Sequence, residues 1–193
     1  MTGTALAAIA AIGGLWAQAV ASYWSQQTAK DQLNQSNEDG DREKRDHASK
    51  ITYWVEAERV ATAVGYPVAK IHVLNRSPDP VSIAQLIVRA KGGLWVLHIP
   101  YLRPCSDVVY SADQMELAPF SGEPERFNLS DVDWEVQAVY FVDRSGKRWL
   151  RKPTALDEWS GTPWAHHIPK WRGTVMTGLE DVKKADPCEG DNS

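Results

Sequence analysis

Hydrophobic and polar positions follow two different rules along this chain. From Thr2 to Ala29 no side chain is charged, and Ala5 to Trp24 is an apolar run. A helix rising ~1.5 Å per residue needs about 20 residues to cross ~30 Å of hydrocarbon. The run therefore predicts a single-pass transmembrane helix over residues 1–24. Its anchoring side chains would be Leu6, Ile9, Ile12, Leu15, Trp16 and Val20, with Tyr23 and Trp24 at the membrane–water interface, where amphipathic rings are favoured. A cleaved signal peptide, or a helix packed against protein, would use the same run. Residues 25–50 are polar, with Leu33 as almost the only large apolar residue. Asp41 and Arg45, and Asp46 and Lys50, stand at i,i+4 with the acid first, which supports a solvated helix. A polar helical connector is expected here, weakened near Asn37–Gly40.

From Ile51 the period falls to two. Ile51–Val55 is β-branched and aromatic. Between Val68 and Leu74, Ala69, Ile71 and Val73 share one face, and Lys70 and His72 the other, wet face. Asn75-Arg76-Ser77-Pro78-Asp79-Pro80 is turn chemistry. Further strands are expected over Val81–Ala90, Leu94–Ile99, Asp107–Tyr110, Met115–Leu117 and Glu125–Leu129. Trp134–Val142 and Lys147–Arg151 form a hairpin around Asp143-Arg144-Ser145-Gly146. Strands this short, with turns between them, predict an antiparallel immunoglobulin-like β-sandwich over 51–153. The fold class expected is mainly β, with a transmembrane helix and connector helix in front. Residues 154–193 are expected to be an irregular tail, with Trp159, Trp164 and Trp171 placed against the sandwich.

Charge decides little about partners. The net charge is −4 and no cationic stripe is present, which argues against nucleic acid. Lys30, Arg42, Lys44 and Arg45 follow the apolar run and no basic side chain precedes it. The positive-inside rule then places the β domain in the cytoplasm, at the cell membrane. Cys105 and Cys188 are the only cysteines. They could pair outside the cytoplasm and would stay thiols within it.

Catalytic signatures are missing: there is no glycine-rich phosphate loop, HExxH, GxSxG or CxxC. His166-His167 lacks ligand spacing and reads as exposed tail. Cys105 reads as a buried thiol and Asp143 as a turn former. Asn75-Arg76-Ser77 and Asn128-Leu129-Ser130 match the glycosylation acceptor, but both suit strand-end turns better. Lys147, Arg148, Arg151 and Lys152 are a possible anionic-partner patch or the guarded edge of a sheet. No catalytic residue, cofactor, metal or small-molecule substrate is expected.

The motifs ITYWVE, HVLNRSPDPV and YFVDRSGKRWLRK, following a short apolar segment and a polar helix, resemble uncharacterised single-pass membrane proteins of high-GC actinobacteria. The resemblance spans Ala5 to about Lys152 and implies a membrane-anchored, cytoplasmic β domain. It implies no activity. The expected function is binding or scaffolding of an unknown protein. An exported envelope- or carbohydrate-binding domain, an enzyme with a site formed only in the fold, and a structural assembly role are the alternatives.

Overall fold

The computed structural model describes residues 2–58, 68–120, 126–160, 171–178, 181–185 and 188; of the helix residues 2–15, 17 and 19 and of Glu58 it describes the backbone alone. The chain divides into two units, Met1–Arg45 and Asp46–Ser193.

One helix, α1 (Thr2–Ser49), runs through both the apolar run and the polar connector. Gly40 does not interrupt it. Ion pairs Lys44–Asp41 (3.4 Å) and Lys50–Asp46 (2.9 Å) lie along its surface. Among the described residues no helix is long and apolar enough to cross a membrane. The expected transmembrane helix rests on residues 1–24, most of whose side chains lie outside the described residues. Leu6, Ile9, Ile12 and Leu15 have side chains outside the described residues, while Trp16, Val20, Tyr23 and Trp24 are exposed.

The second unit is mainly β. Its strands are β1 (Ile51–Glu58), β2 (Val68–Asn75), β3 (Ile83–Ala90), β4 (Gly93–Ile99), β5 (Ser106–Ser111), β6 (Met115–Pro119), β7 (Phe127–Asn128), β8 (Trp134–Val142), β9 (Arg148–Arg151), β10 (Leu156–Glu158), β11 (Trp171–Thr177) and β12 (Asp181–Lys184). They form a four-stranded sheet, β1-β2-β5-β12, and an eight-stranded sheet, β10-β9-β8-β3-β4-β11-β6-β7. The alternation in sequence selects the faces. Ile71, Val73, Val108 and Tyr110 of the small sheet share one core with Leu86, Val88, Leu97, Val139, Phe141 and Trp149 of the large one. That is a sandwich-like packing of two sheets.

The large sheet is partly buried on its other face as well. Ile87, Ala138, Tyr140 and Leu150 form a second cluster there, and Trp159 and Trp171 pack against it. Lys91-Gly92 joins β3 to β4 with φ of 49° and 71°, the two-residue turn whose twist matches a hairpin.

The described residues of 154–193 are more regular than expected. They supply β10, β11 and β12. β11 enters the interior of the large sheet, parallel to β4 and antiparallel to β6. Gly173 permits this. A Cβ there would collide with the Ala118 carbonyl oxygen and come within 2.7 Å of the Trp95 ring. The register also slips between Trp171 and Gly173. Glycine at a bulge with close backbone approach is the physical reason a strand here reads as broken chain. Trp164 and His166-His167 lie outside the described residues.

Candidate functional site

The face of β2 expected to be wet is not. Leu74 is buried and His72 is 7% exposed. The register explains how His72 is enclosed. Trp54 of β1 lies directly opposite it, and Asp107 of β5 sits one diagonal step away, opposite Leu74. Trp54 stacks its indole on the imidazole, with ring centroids 4.4 Å apart and planes inclined by 11°. His72 Nδ1 lies 2.8 Å from Asp107 Oδ2, and Nε2 lies 3.2 Å from Glu56 Oε2 outside hydrogen-bond geometry. The imidazole is thus wedged between two carboxylates and roofed by an indole. Trp54 itself stays 38% exposed. A buried ring beneath Trp54 is poorly placed to exchange protons with a substrate. A stacked, braced indole is well placed to serve as a rigid contact.

A second constellation joins the two turn motifs. Asn75 is fully buried. Its Nδ2 donates to the carbonyls of Asp79 (2.9 Å) and Arg103 (3.0 Å), and its Oδ1 accepts from the Ser77 amide (2.9 Å). Asp79 accepts from Arg144 at 2.9 Å, and His47 Nδ1 lies 3.1 Å from its other oxygen. The Arg144 guanidinium hydrogen-bonded to it holds the Asp79 carboxyl below the usual carboxylate range, against the opposing pull of burial. In the hairpin, Asp143 accepts from the amides of Ser145 (2.8 Å) and Lys147 (2.9 Å) and from the Trp149 indole (2.8 Å). Asp143 is thus a turn former that also satisfies a core tryptophan. Asn128 likewise caps a short turn by accepting from the Ser130 amide.

The four basic residues of the hairpin strand have internal partners. Lys147 pairs with Glu158 (3.0 Å) and Lys152 with Asp157 (2.9 Å). Arg148 lies near Tyr140, whose phenol burial pushes up while the guanidinium pulls it down. Arg151 donates to the carbonyls of Ile51 (3.0 Å) and Ser49 (2.5 Å), closing the C-terminus of α1, where a cation is favoured. Burial lowers the pKa of Arg151; its two carbonyl bonds give this side chain a structural role within the fold.

Cys105 is not the buried thiol expected: it forms a disulfide with Cys188, a pairing the sequence left open, with Cα atoms 5.4 Å apart across a separation of 83 residues. Among the described residues no group of three or more His, Cys, Asp or Glu side chains could hold a metal ion.

No protein-family description, curated protein or solved structure matches this chain.

The sequence reading missed the Trp54–His72–Asp107–Glu56 cluster. Its one local signal is an aromatic in β1 and a histidine in β2. The partners depend on strand register, which brings residues from three separate segments together.

Proposed function

We propose that this chain is a membrane-tethered, immunoglobulin-like β domain that binds another protein, with Trp54 at the centre of the contact. The observation that carries this reading is the stacking of a partly exposed Trp54 on a buried, carboxylate-braced His72. An indole fixed before binding loses little rotamer freedom on contact, and such aromatics dominate binding energy. The apolar run Ala5–Trp24 and its terminal Tyr23 and Trp24 support the tether.

The disulfide bears on the compartment. Disulfides persist in oxidising surroundings and are rare in the bacterial cytoplasm. The Cys105–Cys188 bond therefore supports a domain outside the cytoplasm, the opposite of the orientation that the flanking basic residues favour. It also supports a second reading, an exported domain that binds envelope saccharides through the same tryptophan.

A photo-crosslinking amino acid at Thr52, which is half-buried and two residues from Trp54 along β1, tests the contact in native membranes. A protease-sensitive adduct that Trp54→Ala abolishes is expected. An adduct that resists protease would transfer the reading to saccharide. An adduct unaffected by Trp54→Ala would remove Trp54 from the contact. Labelling with an impermeant maleimide in intact cells, with and without reductant, separates the two orientations: a domain outside the membrane labels only after reduction.

A further inference from the structure

Strand β12 is an unusual edge. It pairs with β5 over four residues, Asp181↔Val109 to Lys184↔Ser106. All four of its side chains are exposed. Val182, opposite the core residue Val108, is itself 44% exposed. β12 adds no side chain to either described hydrophobic cluster. The buried groups beyond it are Ala185, whose amide donates to the Cys105 carbonyl (2.9 Å), and Cys188, 8% exposed. The disulfide leads back from Cys188 to Cys105, one residue before β5 begins. Cys105 holds φ of 52°, a left-handed conformation that non-glycine residues rarely adopt. A four-residue ladder with little apolar burial is marginal by itself. Its attachment then depends on the covalent staple.

From this arrangement we infer that the Cys105–Cys188 bond is a latch on β12, and that reduction opens the β5 edge to an extended strand of a second protein. The reductant is a dithiol. Its thiolate attacks one sulfur, the S–S bond breaks through a mixed disulfide, and the dithiol leaves as its own disulfide. Cys105 and Cys188 gain the electrons and protons as thiols. Release of β12 leaves β5 with unpaired amides and carbonyls on one side, which is the template that strand addition uses.

The edge also states what it accepts. On the core side the incoming strand meets Val108, so an apolar residue fits there. On the other side it meets Asp107, whose side chain is 14% exposed and whose Oδ1 is buried without a hydrogen-bond partner. Lys183 of β12 stands directly opposite Asp107. A lysine or arginine at that register position is therefore the matching residue, as opposite charges across a ladder are favourable and like charges are not. The release needs neither Trp54 nor the tether.

Hydrogen exchange on the full chain, with and without a dithiol, tests the latch. On reduction the amides of 182–185 are expected to exchange about tenfold faster or more, with β3 and β8 unchanged. Unchanged exchange at 182–185 would overturn the latch. Faster exchange at β3 and β8 as well would make the bond a general staple and overturn it too. A fluorescent peptide of the chain's own sequence 179–187 is the probe for the edge. It should bind the reduced chain and not the oxidised one, and Lys183→Glu in the peptide should abolish binding. Equal binding to both forms, or to neither, would overturn the strand-accepting edge. A concentration-dependent dimer of the reduced chain would overturn the choice of a foreign strand, because a second copy's β12 would then be the occupant.

Discussion

Arg144 and Asp79 are separated by 65 positions in the chain and meet through a 2.9 Å bond from Nη1 to Oδ1. The contact joins the Asn75–Pro80 turn to the β8–β9 hairpin, so two motifs that look independent in sequence form one structural device. Arg144 is mostly exposed, so the pair is worth about 0.2–1 kcal/mol in a double-mutant cycle of Arg144→Ala with Asp79→Asn, measured by denaturation.

The same carboxylate makes a pH prediction. Its folded-state pKa lies below the usual carboxylate range, chiefly through the Arg144 hydrogen bond. The unfolded chain therefore takes up a proton first as pH falls. The stabilisation is present above the ordinary carboxylate pKa, about 4, and is lost as pH falls through the lower folded value. Asp79→Asn should flatten the acid limb of a stability–pH curve. An acid limb identical to that of the unsubstituted chain would remove Asp79 from the account.

Asn75→Ala should be among the most damaging single substitutions in the turn. It strips donors from the carbonyls of Asp79 and Arg103 and an acceptor from the Ser77 amide. The Arg103 carbonyl keeps the Ser106 hydroxyl (2.6 Å), so the main cost is the buried Ser77 amide left without its acceptor, about 1–3 kcal/mol. A loss of roughly 1–3 kcal/mol in urea denaturation is expected.

The alternation of Ile71 and Val73 is legible in sequence because it depends only on neighbours in one strand, and those side chains lie in the core. The seven strands expected from Ile51 to Leu129 and the hairpin after them occur near their expected places for the same reason. His72 was assigned to the wet face because alternation reports which face a residue occupies, not what lies over that face. Trp54 and Asp107 come to it by register between distant segments. Residues 171–177 read as irregular tail because Gly161, Pro163, Pro169, Gly173 and Pro187 break the pattern after Thr154; Gly173 is the one that matters for β11. Its lack of a side chain is what lets β11 fit beside Ala118 and Trp95.

Gly173→Ala should therefore destabilise strongly, although alanine is the smallest available replacement. The colliding atoms are a backbone carbonyl and a core indole, neither of which can swing aside. Overpacking of this kind costs about 1–3 kcal/mol or more. Thermal unfolding of the variant should show a lowered midpoint. An unchanged midpoint would mean that β11 does not occupy the slot between β4 and β6.

Tyr53 predicts an alkaline limb. Burial, followed by the negative charge of Glu135, pushes its phenol up to about 12, and Arg151 opposes the shift. The unfolded chain loses this proton near 10, so it is stabilised relative to the fold between about 10 and 12. Stability should fall across that window. Tyr53→Phe should remove this contribution. It should cost little at neutral pH, because the Tyr53 hydroxyl is buried without a hydrogen-bond partner. Spectrophotometric titration of tyrosinate in both forms checks it.

The position of β11 sets an order on biosynthesis. β4 and β6 flank a slot that only residues 171–177 fill. A nascent chain emerges from its N-terminus at about 5–20 residues per second. Throughout that interval it carries both strands with their inner edges unmatched. The large sheet closes only when β11, which follows every other strand of that sheet in the chain, arrives, and the chain must be kept from pairing with others until then.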